Sequence, residues 1–528
     1  MTLAEKLTEA VVEKDTSPHL IIEARAGTGK TTTLVEGLRR VKGLESLLTP
    51  SPQQAAVWQA METSAGKVQS ICFVAFNVSI AAELKTRVPE GCDAMTMHSL
   101  GIKTLNRTYG PQTVNEYRVQ EIIAKVLGKN LLHLRQEYPE QMSATEDLVA
   151  LCKQNMLGMK GGEFCADWIT HEELDYLADR YDVELNDSRN KIFNLVPRVL
   201  RACTNTEDRC IDYNDMIWMP LAKNLFLKKY DLLLVDECQD LNKCQQQLAF
   251  KSGRRLILCG DPRQAIYGFA GADSQSMSNM KELLGKQERG CDKLYLTVTR
   301  RCGKAIVKEA QKIVPEFEAF ETNCDGKVSR VKMLSPWRCQ AKDGDMVLCR
   351  VNAPLVSTCF KFLKEGRKAT IQGRKDIGAG LIKMINKLEK KSKLKPYKIT
   401  NLVSDLDAWR DCETKKEVAK RNPSENKLLS INDKYECLVC FTEDMANVLD
   451  VTNRIEAIFT NNRENKGIKL SSVHKAKGLE AKNVFILLPK GGGMPHPMAK
   501  AAWQVEQEYN LKYVAITRAI ETLTWVEE

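Results

Sequence analysis

The sequence predicts an α/β fold with parallel sheets, and three observations predict it. LLLVDECQD, ending at Asp240, runs a row of leucines straight into acids. Near-continuous apolar runs of that kind mark strands buried on both faces of a parallel sheet. HLIIEARAGTGKTTTLVEGLRR reads as a short apolar strand, a glycine-bearing turn and a helix. GDMVLCRVNAPLV reads as a strand and turn, and VQEIIAKVLGKNLLHL and LDYLADRY carry the apolar period of helices. At 528 residues the chain is too long for one hydrophobic core, so two to four domains are expected.

Composition narrows the class. The chain is 43% hydrophobic and 28% charged, ordinary for a soluble globular protein. It has no run of eighteen apolar residues, and its N-terminal MTLAEKLTEAVVEKD is acidic and without a signal peptide's apolar core. Eighteen cysteines without a repeated spacing read as reduced thiols, so a cytoplasmic location is expected, nucleoid-associated or in a host cytoplasm if viral. The formal charge of +10 favours a polyanionic partner. Cys437 and Cys440 form the CxxC pair YECLVCF, with no second pair nearby. Zinc needs four ligands, so these read as small apolar residues in a strand. Cys238 has no thiol or imidazole partner within sequence reach either.

The strand–turn–helix at ARAGTGKTT has the form of a phosphate-binding loop. Backbone N–H groups of Ala26, Gly27, Thr28, Gly29 and Thr32 and the helix N-terminus would face phosphates, Lys30 would neutralise them, and Thr31 would reach Mg²⁺. One departure stands at Ala24, where the generic pattern has glycine. The acids after Val235 supply the other half of this chemistry. Asp236 would hold Mg²⁺ and Glu237 would orient and deprotonate an attacking water. Asp240 is a helix cap or surface acid, or else part of that chemistry.

Further strings follow in order: ICFVAFNVSIAAELKTRVP, MTMHSLG, GDPRQAIYGFAGA, LTVTRRC, SSVHKAKGLEAKNVFIL and EYNLKYVAITRA. Taken together they resemble the motifs of the superfamily 1 DNA helicases of the UvrD/Rep/PcrA type, in a compact, phage-like form. The resemblance implies two RecA-like P-loop domains with parallel sheets, each carrying a mainly helical insertion. It places a first motor domain at 1–101 and 206–285 around an insertion at 102–205. A second would occupy 286–365 and 451–528 around a short insertion at 366–450, whose Lys-rich LEKKSKLKPYK reads as a solvated face or linker. Ten residues follow Arg518, and no fused nuclease domain is expected.

The same resemblance implies roles. Arg301 and Arg518 would reach the γ-phosphate, Gln264 would sense it, and Gly478 and Glu480 would lie by the nucleotide, Glu480 near the ribose. Phe76, Asn77, Thr96 and His98 would contact single-stranded DNA, and Tyr267 and Phe269 would link the nucleotide cleft to the base-stacking track. His474 faces either DNA or the interior. Three departures stand out. Residues 1–20 lack the adenine-reading glutamine, and SPQQAAVWQAM, which resembles such a segment, follows the P-loop and is read as unrelated to it. Arg300 replaces an aromatic residue, although a guanidinium also stacks on a base. Phe269–Ala270 replaces a Trp–Arg pair. The expected protein is an ATP- and Mg²⁺-dependent 3′→5′ helicase, acting as a monomer on single strands and single/double-strand junctions, with replication, repair or nuclease partners. The alternatives are a translocase that strips proteins with little unwinding, or a nucleotide-gated DNA-binding subunit.

Overall fold

The computed structural model describes residues 17–528 except 63–67, 182, 184, 186–187, 267–275, 373–374, 393, 395, 420–422, 424, 459–466, 491, 498 and 500–501. The chain divides into two compact units, one ending at Leu296 and the other starting at Thr297.

The sheet of the first unit comprises β1 (His19–Ala24), β2 (Ile71–Ala75), β3 (Cys92–Thr96), β4 (Tyr230–Val235), β5 (Gly253–Gly260) and β6 (Cys291–Leu296). They lie in the order β6-β1-β5-β4-β2-β3, with every pair parallel. The apolar runs behave as their period of two requires. Ile22, Phe73, Leu234 and Ile257 pack on one face with Leu34, Leu38 and Trp58. Ile21, Val74, Leu233 and Leu258 pack on the other with Leu248 and Met280. Because β6 pairs with β1, this unit runs on to Leu296 and does not end at residue 285.

Helices α1 (Lys30–Val41), α2 (Pro52–Met61), α3 (Val78–Arg87) and α4 (Met97–Tyr109) follow the first three strands. Between β3 and β4 the chain also forms α5 (Arg118–Leu127), α6 (Leu131–Glu137), α7 (Pro139–Asn155), α8 (His171–Arg180), α9 (Arg189–Cys203) and α10 (Asp215–Ala222). The stretch VQEIIAKVLGKNLLHL is two helices, α5 and α6. Gly128, at φ 63°, ends the first, and the Asn130 side chain caps the second. A buried charge cluster ties this layer together. Arg118 meets Asp215 at 2.6 Å, and Lys153 meets Asp212 at 2.6 Å and Asp215 at 2.7 Å. Two cations and two anions offset the desolvation that any one of them alone would suffer.

The sheet of the second unit comprises β7 (Lys327–Lys332), β8 (Met346–Cys349), β9 (Ala369–Gln372), β10 (Ile468–Ser472), β11 (Ala481–Leu488) and β12 (Ala519–Glu527). Its order is β7-β12-β11-β8-β10-β9, again all parallel. Helices Lys375–Lys391, Ile399–Val418, Glu425–Thr442 and Val448–Ile458 lie between β9 and β10. Cys437 and Cys440 are therefore on a helix, contrary to the strand expected for YECLVCF. Cys437 joins Leu438 and Phe441 in the core there. A short apolar run cannot distinguish a strand from a buried helical turn, and the tertiary packing decided it. Among the described residues, no helix is long and apolar enough to cross a membrane.

Candidate active site

The candidate side chains of the first unit gather along one edge of its sheet because the strand ends are in register. Ala24 lies beside Leu296, Glu23 beside Gly260, Val74 beside Val235, and Ala75 beside Thr96. The segment after each strand therefore emerges at the carboxyl edge, where open α/β sheets take ligands.

After β1 the chain turns through Ala24–Gly29 into α1. Gly27 and Gly29 have φ of 69° and 78°, so this is where the turn needs glycine, at about 1–2 kcal/mol for a residue with a side chain. Ala24 has no positive φ and is fully buried at the end of β1, which explains why alanine suffices there. No side chain caps α1, and its first turn holds no acid. Its leading N–H groups and positive dipole end thus face the site available to an anion.

Two acids from the end of β4 close on this turn. The Thr31 hydroxyl donates to Asp236 Oδ2 at 2.5 Å, and Lys30 Nζ lies 3.0 Å from Glu237 Oε1 and 3.2 Å from Oε2. Burial, followed by the Glu237 charge, pushes the Asp236 carboxyl up to about 6 against the pull of Lys30. Burial works to depress the Lys30 ammonium, but Glu237, Asp261 and Asp236 together outweigh it and raise its pKa. Glu237 has φ 54° and ψ 39°, a left-handed backbone that a non-glycine residue adopts at a cost of about 1–3 kcal/mol.

Two further residues complete the cluster, Gln239 and Asp261, and sequence reasoning gave neither a role. The Gln239 amide donates to Glu237 Oε2 at 2.7 Å and accepts from the Asp261 N–H at 3.0 Å. Asp261 in turn accepts from Gln264 at 2.8 Å and from Arg25 at 3.1 Å. The segment SPQQAAVWQAM lies beside the turn into α1. It forms α2, packed on α1, where buried Gln54 donates to Thr33 Oγ1 at 3.0 Å and closes a capping box with Ser51.

The residues expected to touch a strand lie further along the same edge. Phe76 is half exposed. The Asn77 side chain caps α3, and the buried Thr96 side chain caps α4. His98 is half-buried, and burial lowers its pKa. A cleft of about 450 Å³ opens between α3 and β3, lined by Val78, Lys85, Thr96, Ser99 and Lys103. Tyr267 and Phe269 lie outside the described residues.

In the second unit, Arg301 Nε pairs with Glu480 at 2.5 Å. Gly478, at φ 84°, turns the chain just before that acid. Arg518 is buried and donates to the carbonyls of Val514 and Leu479 at 3.0 and 3.1 Å and to the Thr517 hydroxyl at 3.2 Å. The structure thus brings Arg301, Glu480, Gly478 and Arg518 together, with the Arg518 guanidinium directed into its own unit. Arg300 is exposed and stacks its guanidinium 4.0 Å from the Phe320 ring centre. Burial, then Arg350, holds the His474 imidazole neutral down to about 3, so it offers a neutral donor and no charge. Among the described residues no group of three or more His, Cys, Asp or Glu side chains forms a metal centre.

Residues 4–284 match the model of the UvrD/REP helicase N-terminal domain. The F-box DNA helicase protein 1 of Schizosaccharomyces pombe is 21% identical over 561 aligned positions, covering 97% of this chain and 56% of that protein. The ATP-dependent DNA helicase PcrA of Staphylococcus epidermidis is 22% identical over 440 positions, covering 60% of this chain and 59% of that protein. The RecBCD enzyme subunit RecB of Buchnera aphidicola is 41% identical over 91 residues, 14% of this chain and 8% of that protein. The chain thus spans little more than half the length of the F-box DNA helicase and PcrA relatives it matches. Since the family match covers more than half of its residues, the chain belongs to the UvrD/REP helicase family.

Proposed function

We propose that this chain is an ATP-hydrolysing motor that moves 3′→5′ along single-stranded DNA and opens duplexes ahead of it. One observation carries the reading: an uncapped helix N-terminus with Lys30, facing the strained, hydrogen-bonded pair Asp236–Glu237, in a chain of the UvrD/REP family. Phosphoryl transfer calls mostly for positioning and charge, and this edge supplies both. The N–H groups of the Gly27–Thr32 turn and Lys30 would hold the β- and γ-phosphates. Glu237 would accept the proton of the attacking water, and Gln264 would lie by the γ-phosphate. Arg301 and Arg518 of the second unit would add cationic charge.

The residues fit Mg²⁺. Thr31 and Asp236 offer hard oxygens 2.5 Å apart, and Mg²⁺ characteristically takes one or two carboxylates and completes its shell with phosphate oxygens and water. When bound it supplies charge neutralisation of the triphosphate. Single-stranded DNA would run along the edge past Phe76, Asn77, Thr96 and His98, with Lys85 and Lys103 nearby. The ATP-dependent DNA helicases among its relatives support this partner.

The test is ATP hydrolysis with and without single-stranded DNA, alongside unwinding of duplexes bearing a 3′ or a 5′ tail under single-turnover conditions. We expect DNA-stimulated hydrolysis and unwinding from the 3′ tail. A clear preference for the 5′ tail would overturn the direction, and hydrolysis indifferent to DNA would overturn the coupling.

A further inference from the structure

We infer that Gln239 is the positioning residue that holds Glu237 in its working orientation and joins it to Gln264. This deepens the proposed ATPase reading and rests on it.

The geometry leaves the amide one arrangement. Gln239 is 1% exposed, so water does not readily substitute for its partners. On one side lies a carboxylate, Glu237 Oε2 at 2.7 Å, which only accepts. On the other lies a backbone N–H, that of Asp261 at 3.0 Å, which only donates. The Gln239 Nε2 must therefore face Glu237 and its Oε1 must face Asp261, because the reversed amide would set donor against donor and acceptor against acceptor. The second Nε2 hydrogen is aimed at Asp240 Oδ2, 3.3 Å away.

Glutamine is the side chain that fits this slot. Leucine or methionine would fill it but leave the Glu237 oxygen and the Asp261 N–H without this partner. Glutamate would satisfy the Asp261 N–H and repel Glu237. The neighbouring backbone is cut to suit: a Cβ at Gly260 would run into Gln239 Oε1 and lie 3.0 Å from Cys238 Sγ. Gly260 therefore clears the space through which the amide crosses from the end of β4 to the end of β5.

The need for such a brace is visible in Glu237 itself. Its left-handed backbone is one that a non-glycine residue holds only at a cost. Lys30 contacts both carboxylate oxygens, but as a rotatable ammonium it sets charge more than direction. The amide supplies direction. Beyond it, Asp261 Oδ2 takes the Gln264 amide at 2.8 Å, while Oδ1 takes Arg25 at 3.1 Å. Glu237–Gln239–Asp261–Gln264 is thus an unbroken run of hydrogen bonds. A displacement of Gln264 on meeting a γ-phosphate reaches Glu237 through two rigid, buried groups.

The experiment is a double-mutant cycle on DNA-stimulated ATP hydrolysis, using Gln239→Leu, Glu237→Gln and the two combined. Gln239→Leu should lower kcat by about tenfold or more with the KM for ATP within about threefold, the pattern of a lost orientation and not of lost binding. In the Glu237→Gln background, measured by single turnover, the same substitution should cost less than about twofold, since its effect passes through Glu237. A full tenfold loss there would overturn the inference, as would a kcat for Gln239→Leu within twofold of wild type. Should Gln239→Leu fail to fold, Gln239→Glu decides. It keeps the shape and the acceptor for Asp261 but loses the donor to Glu237, so kcat should fall as far, and a wild-type kcat would overturn the inference. A wild-type chain without ATPase activity overturns the proposed function and this inference together, whereas an active wild type with an unaffected Gln239→Leu variant removes the role of Gln239 alone.

Discussion

Glu237 is the residue on which the proposed chemistry turns, and its environment says what a substitution does. Its carboxylate is shared between Lys30 and the Gln239 amide at 2.7–3.2 Å. Glu237→Gln keeps the volume and one acceptor, so nucleotide binding should survive while turnover falls by about 10²–10⁴, the usual worth of a positioned base. Lys30→Ala should do something different. It removes the cation that compensates Glu237, Asp236 and Asp261, so binding and turnover should weaken together. Nucleotide affinity by equilibrium titration and turnover by phosphate release separate the two outcomes. Hydrolysis by Glu237→Gln at near the wild-type rate would remove the base assignment.

At the scale of elements, glycine placement shows local propensity yielding to packing. Gly101 lies inside α4, where alanine is favoured by about 1 kcal/mol on helix propensity alone. A Cβ there would, however, run into the backbone carbonyl of Met216 in α10, which cannot rotate aside. Overpacking of this kind costs about 1–3 kcal/mol, so Gly101→Ala should destabilise the first unit despite its better propensity. Chemical denaturation of wild type and variant checks the sign. A more stable variant would mean that α4 and α10 are not held this close in solution. Gly37 in α1 differs in kind, because its would-be Cβ meets the end of the Met61 side chain and the edge of the Trp58 ring, and no backbone atom.

At the scale of the whole molecule, the formal charge of +10 acts through its distribution more than its total. Lys85 and Lys103 line one cleft on the carboxyl edge of the first sheet, beside Thr96 and Ser99. If each neutralises one phosphate of a bound single strand, replacing both by alanine should reduce the slope of log affinity against log salt by about 1.4. Titration of a labelled oligonucleotide across a salt series measures it. An unchanged slope would place the strand elsewhere on the edge.

The sequence by itself determined the local pieces: the strand, glycine turn and helix from β1 into α1, the apolar β4 that delivers Asp236 and Glu237, and the α/β class itself. These are legible because burial period, backbone sign and helix starts are set by neighbouring residues. The string order carried the family as well. Tertiary structure alone decided what joins distant segments. Gln239 meets Asp261 across a separation of 22 residues and Arg25 meets Asp261 across 236. No pattern in either stretch announces such a bond, since a hydrogen bond depends on where two strand ends come to rest. The same holds for Gln54 of α2 meeting Thr33 of α1, for the burial of Arg518 among carbonyls, and for Cys437, whose short apolar run suits either a strand or a helix until the core around Leu438 and Phe441 selects the helix.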